Sequence, residues 1–270
     1  MNGLSQDILC DELNGYGLNN YEIVYMNSVD STNRYAIENA DNGILKKDIN
    51  SLIVADSQSA GRGRLGRSFE SGACKGIYAS LVIRPTKSTY EIANITLVAA
   101  LAVSRALDEV LGLKTMIKWP NDIILNGRKL CGILTEMRND KDKVRFVVVG
   151  IGINVNNEEF SDEIKDKATS IYMETGKRLS RGKLVALVVK KFEELYQEYL
   201  REKDLSFMKK EYNDSLINKD SLILVEYKGE KTEATQLGID YNGVLKILID
   251  GKEQSITTGE ILVRGVHGYV

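Results

Sequence analysis

Apolar and polar residues alternate through Tyr21–Met26, and this two-residue period predicts a first β-strand. Ahead of it, Ser5–Leu13 reads as a short helix with Ser5 as its cap. Ser51–Gln58 is the next strand, and Ile77–Arg84 is a continuous apolar strand stopped by Pro85. A capping box, Ser88 to Glu91, opens a helix that runs to about Val110 and ends at Gly112. That helix is apolar nearly all round, so it belongs in the middle of the core. Lys114–Trp119 is a further strand. Ile123–Leu125 and Lys129–Met137 flank Asn126-Gly127, a strong hairpin signal, and Val144–Val155 is a long central strand.

Residues 156–175 are polar and charged, which predicts a mobile loop with one helical turn. Leu179–Arg201 is amphipathic, with Leu184, Leu187, Val188, Phe192, Leu195 and Tyr199 along one face. Asp204 caps a shorter helix to about Leu216. From Asp220 the texture changes to short strands parted by Lys228-Gly229, Asn242-Gly243 and Asp250-Gly251, which predicts a small β-barrel. The chain thus divides into an extension over residues 1–20, a large domain over 21–217 and a small one over 218–270.

Composition narrows the chemistry. In 270 residues, 36 Lys and Arg oppose 38 Asp and Glu, so bulk polyanion binding is not suggested. The three cysteines, Cys10, Cys74 and Cys131, form no paired framework and fit a reducing cytoplasm. His267 is the single histidine, which removes His-based metal sites and most Ser–His or Cys–His nucleophiles. There is no secretory leader and no apolar run near the ~20 residues of a membrane span, so a cytoplasmic location is expected.

Ala60–Phe69 reads A-G-R-G-R-L-G-R-S-F, with Gly61, Gly63 and Gly66 alternating with Arg62, Arg64 and Arg67. Glycine lets backbone N–H groups approach a ligand, and arginine supplies planar cations matched to carboxylate and phosphate. The spacing also satisfies G-x-G-x-x-G, and it nearly makes a P-loop with Arg67 where lysine is required. The following R-S-F-E-S-G-A-C-K-G does not read as a helix, however, and no acidic residue ends a second strand where a ribose partner is needed. A solvated basic loop is the plainer alternative. Asp30, Ser31, Thr32 and Asn33 are all N-cap types ahead of a short helix, and they read either as plain capping or as a ligand-facing cluster.

Set side by side, D-S-T-N at Asp30–Asn33, Q-S-A-G-R-G-R-L-G-R at Gln58–Arg67, K-W-P-N-D at Lys118–Asp122, R-K-L-C-G-I at Arg128–Ile133 and G-I-G-I-N at Gly150–Asn154 resemble the ordered motifs of biotin protein ligases. The resemblance spans the chain from Tyr21 onward. It implies an α+β fold: a mixed β-sheet with packed helices, class II synthetase-like, plus a small C-terminal SH3-like β-barrel. It also implies a two-step reaction in which biotin and ATP give biotinyl-adenylate, which then acylates a lysine of a biotin carboxyl carrier protein. ATP and biotin would be the substrates, with Mg²⁺ at the departing pyrophosphate. No metal-binding side chain is identified.

On the same resemblance, Ser31, Thr32 and Asn33 line the biotin head. Gln58, Gly61, Arg62, Gly63 and Arg64 form the loop that closes over biotin, and Gly132 lets the backbone meet it. Arg64, Arg67, Trp119, Asn121 and Asn154 lie on the ATP and adenylate side, with Trp119 also explicable as packing. Lys129 contacts both the biotin carboxylate and the phosphate, and Lys129 and Arg64 are the catalytic candidates. Cys131 fits a small core filler. Physically, opposing a carboxylate to a triphosphate costs about 4 kcal/mol per unit pair at 4 Å and an effective dielectric of ~20, so fixed cations are needed.

Phe69 departs from the indole that many relatives carry there, and only about twenty residues precede the first strand, too few for a DNA-reading three-helix unit. No DNA or membrane partner is expected, while exposed strand edges would allow a homodimer. A lipoate or octanoate ligase of the same fold is the near alternative, and a nucleic-acid-binding regulator the distant one. The Ser31–Asn33 triplet favours biotin, whose ureido head needs hydrogen bonds that a dithiolane or alkyl chain does not. The Gly61–Phe69 loop is expected to be mobile when empty and to order on ligand binding.

Overall fold

A seven-stranded mixed sheet organises the molecule, in the order β1-β2-β3-β7-β6-β5-β4. Its strands are β1 (Tyr21–Met26), β2 (Asn50–Ala55), β3 (Ile77–Ile83), β4 (Met116–Lys118), β5 (Asp122–Leu125), β6 (Arg128–Asp140) and β7 (Lys143–Ile153). Only β1 and β2 pair in parallel; the other neighbours are antiparallel. The computed structural model describes residues 3–84, 92–140, 143–227, 230–257, 262–265 and 270. The capping box expected at Ser88–Glu91 lies outside them.

The two faces of this sheet are covered unequally. Val147, Val149, Ile151 and Ile153 of β7 face a thick layer built by α1 (Gln6–Asn14), α3 (Ile92–Leu111) and α5 (Arg181–Glu202). From Ile95 to Leu107, α3 is buried except at Thr96 and Arg105, as its apolar circumference requires. The opposite face, with Ile53, Val82, Phe146 and Val148, is covered by α2 (Thr32–Asp41) through Ala36, Ile37 and Ala40. Because side chains alternate along a strand, the next residues on this second face are Ser80, Gly150, Gly152, Gly132 and Leu134. Beyond α2 the floor is glycine, and a trough opens there.

Local chemistry set most element ends. Ser5, Ser31 and Ser180 cap α1, α2 and α5, each side chain accepting from a first-turn N–H. Asn126 and Gly127 have φ of 49° and 77°, the left-handed pair that a two-residue hairpin needs. The strand expected over Ser51–Gln58 stops at Ala55. The ladder with β1 ends at the Met26–Ala55 pair and resumes as a single bridge between Val29 and Gln58, which carries Gln58 to the start of α2. Leu205 rather than Asp204 stands at the cap position of α6 (Ser206–Asp214), while Asp204 accepts from the N–H and hydroxyl of Ser206.

The segment over residues 156–175 is more built than a free loop. It holds α4 (Ile171–Thr175), buries Ala168, Thr169 and Ser170, and forms a parallel bridge from Ala168 to Lys129.

The C-terminal part is a five-stranded antiparallel sheet in the order β11-β10-β9-β8-β12. It comprises β8 (Leu222–Tyr227), β9 (Glu230–Ile239), β10 (Leu245–Ile249), β11 (Lys252–Ile256) and β12 (Leu262–Gly265), the last unforeseen from the sequence. The small barrel expected here is an antiparallel sheet that does not close: among the described residues no ladder joins β11 to β12. Closure demands tilted, staggered strands paired at both edges, whereas β11 is exposed along most of its length. Nor does this sheet keep a core of its own, because Ile223, Val225, Ile239, Leu245 and Val263 join the cluster under α3 and α5. Asn213 of α6 clamps the junction by exchanging two hydrogen bonds with the backbone of Ile239.

Candidate active site

The trough narrows to a slot against the N-terminus of α2. Gly152 pairs with Tyr78 on one side and Gly132 on the other, while Gly150 pairs with Ser80 and Leu134. A methyl group on Gly152 would come within 2.7 Å of the Phe69 ring, and one on Gly150 would collide with the Asn33 amide. The glycines are thus needed for close approach, not for a special backbone angle. With Phe69 seated, the slot holds about 50 Å³.

One end of the slot is polar, and every group there is pinned. The Gln58 carbonyl oxygen accepts from the Thr32 backbone N–H at 2.8 Å and from its hydroxyl at 3.1 Å. Ser80, fully buried in β3, has its Oγ 2.6 Å from Asn33 Oδ1 and 2.8 Å from the Thr32 hydroxyl. The Asn33 Nδ2 donates to Leu134 O at 3.1 Å and to Glu136 at 2.9 Å. Gln58 Nε2 donates to Ser71 Oγ, which donates to the Phe69 carbonyl, both at 3.0 Å. Ser31, Thr32 and Asn33 are all buried, so capping accounts for Ser31 alone and leaves Thr32 and Asn33 facing the slot.

The Gly/Arg segment folds over this floor as a narrow hairpin. Phe69 N–H donates to Gly61 O at 2.9 Å, Arg62 bridges Ser68, and Gly63 N–H donates to Arg67 O at 2.7 Å. Its tip is a single 3₁₀ turn, Arg64–Gly66, where exposed Leu65 has φ of 55°. Gly61 stands outside both cavity walls and is packed at the hinge, where a methyl would lie 2.5 Å from Phe69 O. Phe69 then drops its ring onto Gly152, edge-on to Tyr78 with centroids 6.4 Å apart.

The three arginines point to three stations. Arg62 pairs with Glu136 at 3.3 Å beside the slot, and Arg64 donates to Asn121 Oδ1 at 3.0 Å. Arg67 lines a second, larger chamber of about 650 Å³. Burial lowers the Arg64 pKa from its ordinary value, the Asp122 charge opposes that shift, and Arg67 adds to it.

The chamber is walled by Lys118, Trp119, Asn121, Asp122, Lys129 and Asn154, with Phe160, Lys167 and Val263 contributed from later in the chain. Trp119 is 3% exposed and belongs to the core, yet its indole N–H has no hydrogen-bond partner. Asn154 spends its side chain on Thr169 O at 3.0 Å, which fixes the segment behind Lys129. Lys129 itself is held at both backbone groups, its N–H by Lys167 O and its carbonyl by Thr169 N–H. Its ammonium reaches Asp122 at 2.6 Å. Gly63, Arg64, Phe69, Asn121 and Lys129 belong to the walls of both cavities.

This geometry has known counterparts. Residues 25–154 match the biotin/lipoate A/B protein ligase family. The fold superposes on a biotin protein ligase from Aquifex aeolicus, in complex with biotin and ATP, with a TM-score of 0.80 and 30% identity over 90% of this chain and 99% of that one. The chain belongs to the biotin/lipoate A/B protein ligase family. It is also 41% identical to the bifunctional ligase/repressor BirA of Bacillus subtilis over 66% of this chain and 54% of that protein. Over 52% of this chain and 60% of its own length, a biotin–[acetyl-CoA-carboxylase] ligase of Paracoccus denitrificans is 37% identical. The chain therefore spans between about half and three fifths of these two relatives.

Family motifs in the sequence led to Ser31–Asn33, Gln58, Gly61–Arg64, Arg67, Trp119, Asn121, Lys129, Gly132 and Asn154, and all of these line one or both cavities except the hinge residue Gly61. Sequence reasoning missed Ser80, Tyr78, Ser71, Asp122, Glu136 and Lys167. It also drew only Asn154 from G-I-G-I-N, although Gly150 and Gly152 recur at the strand period and that alternation marks a floor. Cys131 is a core filler as expected: it is fully buried, and burial pushes its thiol pKa up, away from nucleophilic use.

Proposed function

We propose that the protein is an ATP-dependent biotin protein ligase, forming biotinyl-adenylate and transferring the acyl group to a lysine of a biotin carboxyl carrier protein. The observation that carries this reading is the shared wall: a small-acid slot and a nucleotide-sized chamber meet at Arg64, Asn121 and Lys129. The polar end of the slot supplies the donors and acceptors that a ureido head requires, at Ser31–Asn33 and Gln58. Biotin's valeryl chain would run over Gly150, Gly152 and Gly132, with its carboxylate delivered to Lys129. ATP would occupy the chamber with its α-phosphate at the same point.

Seating the acid displaces the Phe69 ring, because the slot as it stands is far below the ~300 Å³ at which ligand pockets begin. Attack then joins a carboxylate oxygen to the α-phosphorus, and the bond to pyrophosphate breaks. Lys129 and Arg64 hold the two anions in line and offset their mutual repulsion, so orientation and charge stabilisation replace acid–base chemistry. In the second step, the neutral amine of the carrier lysine attacks the acyl carbon and AMP leaves. No set of three metal-ligating side chains occurs among the described residues, and Mg²⁺ would enter as part of the substrate, MgATP. No helix among the described residues is long and apolar enough to cross a membrane.

Pyrophosphate exchange into ATP tests the first step, and a streptavidin blot of a carrier domain tests the second. Exchange that depends on biotin, followed by labelling of the carrier, is the expected result. Exchange driven by lipoate or octanoate instead would move the assignment to those acids.

A further inference from the structure

We propose that Glu136 is a positioning residue that couples closure of the Gly/Arg hairpin to the setting of the polar end of the slot. The proposal rests on reading the slot as the biotin site. Gly132, Leu134 and Glu136 are alternate residues of β6, so all three address the same face of the sheet. The Glu136 carboxylate divides its oxygens: Oε2 accepts from Asn33 Nδ2 at 2.9 Å, and Oε1 pairs with Arg62 at 3.3 Å. One charge therefore touches both the slot lining and its cover.

The first contact fixes an orientation. A carbonyl and a carboxylate can only accept, so Leu134 O and Glu136 require the NH₂ end of Asn33 to face them. Asn33 Oδ1 must then turn to Ser80 and the slot, 2.6 Å from the Ser80 hydroxyl. The second contact is a latch. Arg62 is the first arginine of the hairpin, about half exposed, and Glu136 is mostly covered, so this is a partly screened pair whose strength depends on salt. Closing the hairpin brings a guanidinium to the carboxylate that already holds Asn33, and opening it leaves that carboxylate with Asn33 alone.

Glu136→Gln keeps an acceptor for Asn33 and deletes the charge that Arg62 needs, whereas Glu136→Ala removes both. The single tryptophan, Trp119, lines the adjoining chamber and reports binding through its fluorescence in stopped-flow mixing with biotin. Glu136→Gln should release biotin about threefold to fivefold faster than the parent with its association rate little changed, the scale of one partly exposed ion pair. High salt should reproduce that acceleration in the parent and add nothing in the Gln variant. Glu136→Ala should lose a further factor of about five, for the freed Asn33 amide. Parent-like release from Glu136→Gln, or an equal salt response in both proteins, would overturn the assignment while leaving the biotin site standing. A parent protein that gives no biotin response at all would overturn the reading of the slot, and Glu136 with it.

Discussion

The ammonium of Lys129 lies 2.6 Å from Asp122 Oδ1 across the hairpin that Asn126 and Gly127 turn. Asp122 holds the cation at the seam between slot and chamber, and bonds from Lys167 and Thr169 clamp the backbone beneath it. Lys129 is thus aimed before any ligand arrives, as electrostatic stabilisation demands. Lys129→Ala should cut biotin-dependent pyrophosphate exchange by about 10²–10³-fold. Its unfolding free energy should change by less than ~1 kcal/mol, because the ammonium is partly exposed. Exchange at the parental rate would remove Lys129 from the reaction.

The glycine floor makes a steric prediction. At Gly152 the backbone would accept alanine, but the new methyl would meet the Phe69 ring at 2.7 Å. The ring would have to lift, and the floor under the acid would rise with it. Gly152→Ala should weaken biotin binding at least about tenfold in a calorimetric titration, with ATP affinity changed far less, as expected for a misfit of ~1.4 kcal/mol or more. Equal losses for both ligands would mean a general disturbance of β7 and not a blocked slot.

How much of this was readable beforehand depended on distance along the chain. The Asn126-Gly127 turn, the Ser5 cap and the buried face of α5 are written in neighbouring residues, and they were legible. The pairing of Asn33 with Glu136 joins positions 103 apart, and no local pattern announces it. Asp122 looked like the last letter of a motif and became the partner of Lys129 only once β5 and β6 were in register. In the C-terminal part, Asn242-Gly243 and Asp250-Gly251 correctly marked the turns between successive strands, while Lys228-Gly229 lies outside the described residues. Whether hairpins close into a barrel depends on strand tilt and stagger, which turn residues do not encode.

Alkaline pH should loosen the fold through its tyrosines. Burial, then the hydrogen bond to Asp56, pushes the Tyr25 pKa up to about 12, and burial also raises those of Tyr21, Tyr78 and Tyr212 above the ordinary phenol value. A phenol whose folded pKa is raised stabilises the fold fully below its unfolded value near 10, and loses that contribution as pH climbs towards the folded value. Stability measured by urea unfolding should therefore fall from about pH 10 upward. Tyr25→Phe should make the decline shallower between about pH 10 and 12. An unchanged slope there would show that Tyr25 titrates alike in both states.

The ion pair between Arg181 and Asp56 is the most deeply buried in the described part of the chain, with side chains 4% and 14% exposed and a separation of 2.7 Å. Arg181 opens α5 and also donates to Gly76 O at 3.2 Å, so it ties the end of β2 to the return of the Gly/Arg segment. Removing the cation strands a carboxylate left only with neutral donors, the Tyr25 hydroxyl and the Cys74 thiol. Arg181→Met should cost about 3–5 kcal/mol in urea unfolding, most of it the penalty of an uncompensated buried charge and not the net worth of the pair. A second substitution separates those two quantities. Asp56→Asn, placed on the Arg181→Met background, removes the stranded charge, so the double variant should regain part of the loss and be more stable than Arg181→Met alone. Simple additivity of the two single losses would mean that the pair stabilises through packing, with the buried charge contributing little.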